Sequence, residues 1–138
     1  MYPEELVSPM RKELTDAGFL ELKTAQEVDD AFEGQEGTAL LVVNSVCGCA
    51  AGAARPGVKW AVGNSDKTPG KLYTVFAGVD ADAVSQARSY TLPYPPSSPS
   101  MALFKDGKLV HFIERHQIEG NNAQMIGEHL KKIFEHYA

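Results

Sequence analysis

Cysteine is scarce in this chain, and its placement sets the question: 138 residues hold two thiols, Cys47 and Cys49, with Gly48 between them. Blocks of one charge are missing too. The formal charge of −5 is spread along the chain, with no Lys/Arg cluster or basic helix to neutralise a row of phosphates, so nucleic acid is not an expected partner. Long apolar stretches are also lacking. Residues 1–15 mix Glu, Arg and Lys with isolated hydrophobic side chains rather than the core of a secretory signal, and no segment approaches membrane-spanning length. No membrane partner is expected, and the expected location is cytoplasmic. There are no repeats and no low-complexity tracts. His111, His116, His129 and His136 have no spacing that completes a closed zinc site with two thiolates, so no metal is expected.

What is present suits one compact unit. With 43% hydrophobic residues, the chain is long enough for a single core and too short for two, so residues 1–138 are read as one domain. Apolar residues Leu6, Val7, Met10 and Leu14 lie close to one helix face over 6–17, and Gly18 stands where that helix should stop. A short strand at 19–22 and a helix from the N-cap candidate Thr24 to about Phe32 follow. Residues 38–44 form an uninterrupted apolar run of the kind buried on both faces of a sheet. The Ala-rich stretch after the cysteines suits a helix bent or interrupted near Pro56. A strand at 72–77 and a helix at 80–90 complete a βαβα run. After the Ser/Pro loop 94–99, strands at 101–104 and 109–113 flank an Asp106-Gly107 turn, and a helix occupies 122–137. The expected fold is α/β: a central mixed sheet flanked by helices, with an N-terminal helical extension.

The thiols follow the central strand, at the carboxyl edge of the sheet where ligands and chemistry collect in open α/β folds. In a reducing compartment such a pair is catalytic or metal-binding more often than a staple. The N–H groups at the start of the next helix favour thiolate over thiol, which makes Cys47 a candidate nucleophile. Side chains at i and i+2 point apart on a regular helix, so a Cys47–Cys49 bridge needs a distorted helix start, which Gly48 would ease by adopting unusual dihedrals. Two routes remain open: an intramolecular bridge, or Cys47 taking up a small thiol alone, with Cys49 or an external thiol releasing it. A different class, a non-catalytic metal- or thiol-binding module using both thiolates, competes with them. Pro99, between a Ser/Pro loop and a strand, is either a cis-proline that turns the loop toward the thiols or part of a stiff trans connection from Tyr94. Arg55, beside Pro56, is expected to face solvent.

Three stretches, "NSVCGCAAGAARP", "YPPSSPSMALFKDGKLVHFIERHQIEG" and "LVSPMRKELTDAGFLEL", together resemble the bacilliredoxins, thioredoxin-like proteins with a Cys-Gly-Cys motif. The resemblance runs from about Leu6 into the last helix. It implies a thioredoxin-like fold and a thiol–disulfide oxidoreductase that removes bacillithiol from S-bacillithiolated proteins, with weak disulfide isomerase or reductase activity. By position, it implies Cys47 as the nucleophile that becomes bacillithiolated, Cys49 as the resolving or modulating thiol, Gly48 as the spacer and Pro99 as the cis-proline shaping the substrate groove. Bacillithiol is then a thiol co-substrate, with no tightly bound cofactor. These 138 residues hold no third cysteine, so no distal internal thiol is expected to resolve the adduct.

Overall fold

The structure, a computed structural model, describes residues 2–137. Helix α1 (Glu4–Thr15) has Glu4 and Glu5 in its first turn and Lys12 in its last, the polarity its dipole favours. It buries Val7, Arg11 and Leu14, and Gly18 leaves the helical register at φ 100°. Strand β1 (Leu20–Glu21) leads to α2 (Ala25–Phe32). Thr24 caps α2 as expected: its hydroxyl accepts the Glu27 N–H at 3.1 Å, and the Glu27 carboxylate accepts the Thr24 N–H at 3.1 Å. Such a capping box contributes about 1 kcal/mol.

Strand β2 (Thr38–Asn44) precedes the thiols and α3 (Arg55–Asn64) follows them. Then come β3 (Lys71–Phe76), α4 (Ala81–Ser89), β4 (Ser100–Lys105), β5 (Lys108–Ile113), α5 (Arg115–Ile118) and α6 (Ala123–Tyr137). Periodicity does not reveal α5, because four residues barely complete one turn. The Asp106-Gly107 turn has φ of 50° and 80°, both positive as a tight two-residue hairpin requires, with Lys105 paired to Lys108 across it.

The sheet order is β1-β3-β2-β4-β5. β2 runs parallel to β3 on one side and antiparallel to β4 on the other, so it is central, and all seven of its residues are buried. Alternate residues serve opposite faces. Leu40 and Val42 pack with Val58 of α3 and with Ile126, Leu130 and Phe134 of α6. Ala39, Leu41 and Val43 pack with Val28 and Phe32 of α2 and with Val84 of α4. Truncating a side chain here, as in Leu41→Ala, costs about 2–5 kcal/mol. Register also fixes the site: Val43 pairs with Ser100, so Pro99 leaves the sheet at the same edge as Asn44 and the thiols beyond it.

Helical backbone begins at Gly48 and widens into a π-turn over Ala50–Ala54, where the Arg55 N–H reaches the Ala50 carbonyl. Pro56 explains the widening. It has no N–H to donate, and in a regular α-helix its ring would crowd the carbonyl four residues back. Skipping one residue in the ladder relieves both problems. The expected interruption near Pro56 thus lies just before it, and helical backbone continues through the proline.

Candidate functional site

The site is built on the step from β2 to the helix. Asn44, the last strand residue, is buried and fully engaged: its amide donates to the Met10 carbonyl at 3.2 Å, and its oxygen accepts the Ser45 N–H at 2.8 Å. That oxygen also accepts from Arg55 Nη1 at 3.0 Å, and the same guanidinium donates to the Ser45 carbonyl at 2.7 Å. Its Nε pairs with Glu13 of α1 at 2.9 Å. Arg55, expected to face solvent, is instead 2% exposed. The carbonyl and amide oxygens of a chain leaving a buried strand need donors, and this cation supplies them. A lone charge inside the run AAGAARPG, otherwise made of small residues packed on a sheet, is the sequence signal for this role.

Beyond this brace, Ser45 Oγ accepts the Cys47 N–H at 3.2 Å, and the Cys47 carbonyl accepts the N–H groups of Ala50 and Ala51 at 3.1 and 3.2 Å. Cys47 and Cys49 are both free and half-buried, and their sulfurs stand 2.8 Å apart. The expected divergence of i and i+2 side chains does not arise, since Cys47 precedes the first helical residue while Cys49 lies within the first turn. Gly48 is not among the residues with positive φ, so the dihedral freedom expected of it is not used in this state. A β-carbon at Gly48 would meet nothing within 4 Å, leaving open space in front of the motif.

The two thiols differ in acidity. Burial pushes the Cys47 thiol up, but hydrogen bonds from Cys49, the Ala50 N–H and the Ser45 hydroxyl, together with the charge of Arg115, outweigh it and hold Cys47 below the ordinary thiol value. Burial pushes Cys49 up, and donating to a neighbouring thiolate raises it further. Cys47 is therefore the more acidic of the two, and Cys49 holds its proton more tightly. Sequence reasoning identified the helix start as the only activator; it missed Ser45 and Arg115.

The Ser98–Pro99 bond is cis, as anticipated, and so is Leu92–Pro93, which no sequence feature singled out. The loop before Pro99 is tied to α5: Ser97 Oγ accepts the Arg115 N–H at 3.3 Å, and the Ser98 carbonyl accepts from Arg115 Nη1 at 3.0 Å. Pro99, Arg115 and the thiols thus gather at one edge of the sheet. Among the described residues, no three His, Cys, Asp or Glu side chains lie together as a metal-ligating group. No helix among them is long and apolar enough to cross a membrane.

A strand–thiol–helix step and a cis-proline at one edge of a five-stranded mixed sheet define a thioredoxin-like fold, and the relatives of this chain make it a thiol–disulfide oxidoreductase. Solved thioredoxins share the architecture: one from Halobacterium salinarum superposes with a TM-score of 0.57 at 18% identity, covering 86% of this chain and 88% of that one. Mitochondrial thioredoxin 3 of Saccharomyces cerevisiae gives 0.55 at 14%, covering 86% and 95%. The family model described as "Disulphide isomerase" matches residues 2–138. A bacilliredoxin of Cytophaga hutchinsonii is 61% identical over 135 residues, 98% of each chain, and one of Bacillus licheniformis is 53% identical over 134 residues, 97% of this chain and 93% of that one. The chain belongs to the bacilliredoxin family.

Proposed function

We propose that this oxidoreductase removes bacillithiol from S-bacillithiolated proteins in the cytoplasm, with Cys47 as nucleophile. The Cys47 thiolate attacks the bacillithiol sulfur of the mixed disulfide; the target leaves as its own thiolate, and Cys47 retains bacillithiol in a new disulfide. Cys49 or an external thiol then attacks the Cys47 sulfur and expels the bacillithiol thiolate. If Cys49 does so, the resulting Cys47–Cys49 disulfide takes two electrons from external thiols to return to the reduced state. Bacillithiol is thus a co-substrate, and the macromolecular partners are proteins carrying it.

The observation that carries this reading is the unequal pair: sulfurs 2.8 Å apart, with the Cys47 thiol held below its ordinary value and the Cys49 thiol pushed above it. Cis-Pro99 at the same edge supports its role in shaping the groove where the target chain lies. The test uses a reporter protein bearing a bacillithiol adduct, followed by intact mass. Adduct loss should persist, with bacillithiol now on the enzyme, in Cys49→Ala, and should cease in Cys47→Ala. Adduct loss unaffected by Cys47→Ala would overturn the assignment.

The proximity of the sulfurs also favours a second activity, disulfide isomerisation, in which Cys49 is the internal escape thiol. That activity predicts that Cys49→Ala abolishes rearrangement of scrambled disulfides while sparing single exchanges.

A further inference from the structure

Arg115 forms no bond in the exchange, yet its charge acts on both thiols. Its backbone N–H and Nη1 are fastened to Ser97 and Ser98, the residues directly before cis-Pro99. Its Nε pairs with Glu119 one turn along, so the guanidinium is held from two directions. The side chain still remains 44% exposed. Among the described residues Nη2 makes no hydrogen bond, so the half-exposed guanidinium keeps donors free for another partner. Its charge reaches both sulfurs, favouring the thiolate of Cys47 and partly offsetting the rise at Cys49. The other charge acting there is that of Glu119, which opposes it at Cys49.

A pinned cation with free donors suits a carboxylate, since guanidinium and carboxylate match in paired hydrogen bonds. A group bonded to Cys47 through a disulfide lies within reach of this charge. We propose that Arg115 is a specificity-determining residue that selects low-molecular-weight thiols carrying a carboxylate as the group transferred to Cys47. The inference rests on the exchange reading of Cys47 and specifies the charge of the small thiol. Glu119 sets the strength of the preference, because it shares the guanidinium that the carboxylate must engage.

Three symmetric disulfides of similar size separate charge from shape: those of thioglycolate, 2-mercaptoethanol and cysteamine, carrying anionic, neutral and cationic groups. Each reacts as Cys47–S⁻ plus R–S–S–R giving Cys47–S–S–R plus R–S⁻, so atoms and electrons balance without a further reagent. The second-order rates, read by mass at Cys47, are compared as anion-to-cation ratios between proteins. The attacking thiolate is common to all three reactions, so any change in its abundance cancels, and intrinsic differences among the reagents cancel between variants. Arg115→Gln should lower the ratio about tenfold at low salt, as loss of one nearby charge in a water-like dielectric requires. Glu119→Gln should raise it, and added salt should compress it in the wild type. A ratio in Arg115→Gln within about twofold of wild type, with exchange at Cys47 intact, overturns this assignment alone. No exchange at Cys47 with any of the three overturns both the assignment and the reading beneath it.

Discussion

Arg55 donates to the side chain of Asn44 at 3.0 Å, fastening the helix that follows the thiols to the strand that precedes them. The loop bearing Cys47 is thus held at both ends by one buried contact. Replacing Arg55 with Met keeps much of the volume but leaves the Ser45 carbonyl without its donor and the Asn44 oxygen with the Ser45 N–H alone. An orphaned buried acceptor costs about 1–3 kcal/mol. Urea unfolding should show this as a lower midpoint, and Cys47 alkylation should slow because Ser45 is no longer fixed. An unchanged midpoint would mean that water replaces the guanidinium.

Burial disfavours the Cys47 thiolate, and the hydrogen bond from Cys49 is the strongest of the interactions that stabilise it. In Cys49→Ala the iodoacetamide rate profile of Cys47 should move to higher pH, while Cys49→Ser, whose hydroxyl can still donate, should move it less. In the wild type, Cys47 should be alkylated before Cys49 at neutral pH, with the order read by peptide mass. Equal labelling of both would contradict the division of roles.

His111 on β5 and His129 on α6 meet through their Nε2 atoms at 3.2 Å. Burial and then the charge of His129 lower the pKa of His111 from its ordinary value near 6.5. Protons therefore bind the unfolded chain more readily than the folded one. Stability should be at its full value above about pH 6.5, fall as acid is added through that value, and level off below the lowered pKa. His111→Phe should flatten this slope in urea midpoints measured from pH 8 to 5.

Helices α3 and α6 approach closely through glycine. A β-carbon on Gly57 would lie 2.9 Å from Ile126 Cβ, and one on Gly127 would lie 2.6 Å from Trp60 Cε3. Gly57→Ala should therefore destabilise the protein by about 1–3 kcal/mol through overpacking, despite the better helix propensity of alanine. Thermal unfolding checks the sign.

The frame of this protein is legible because β2 is apolar from Ala39 to Val43 and the Thr24 cap and Asp106-Gly107 turn carry local chemistry. Such signals act over a few residues and survive in any context. The thiol motif was legible for the same reason. What surrounds it was not: Arg115 lies 68 positions from Cys47 and reaches it only once α5 closes on the Ser97-Ser98 loop. Arg55 was misread because a guanidinium beside a proline defaults to water, whereas here the donors demanded by Asn44 and Ser45 outweigh its hydration. The π-turn follows from Pro56, but its position on the N-terminal side depends on how the helix seats on the sheet.

The vacant space ahead of Gly48 makes that position a natural mount for a reporter. A photo-crosslinking side chain inserted there would project from the reactive face without colliding with the protein that carries it. Covalent capture in living cells would then convert each passing client into an identifiable band, turning the narrowest residue of the motif into a record of what the enzyme meets.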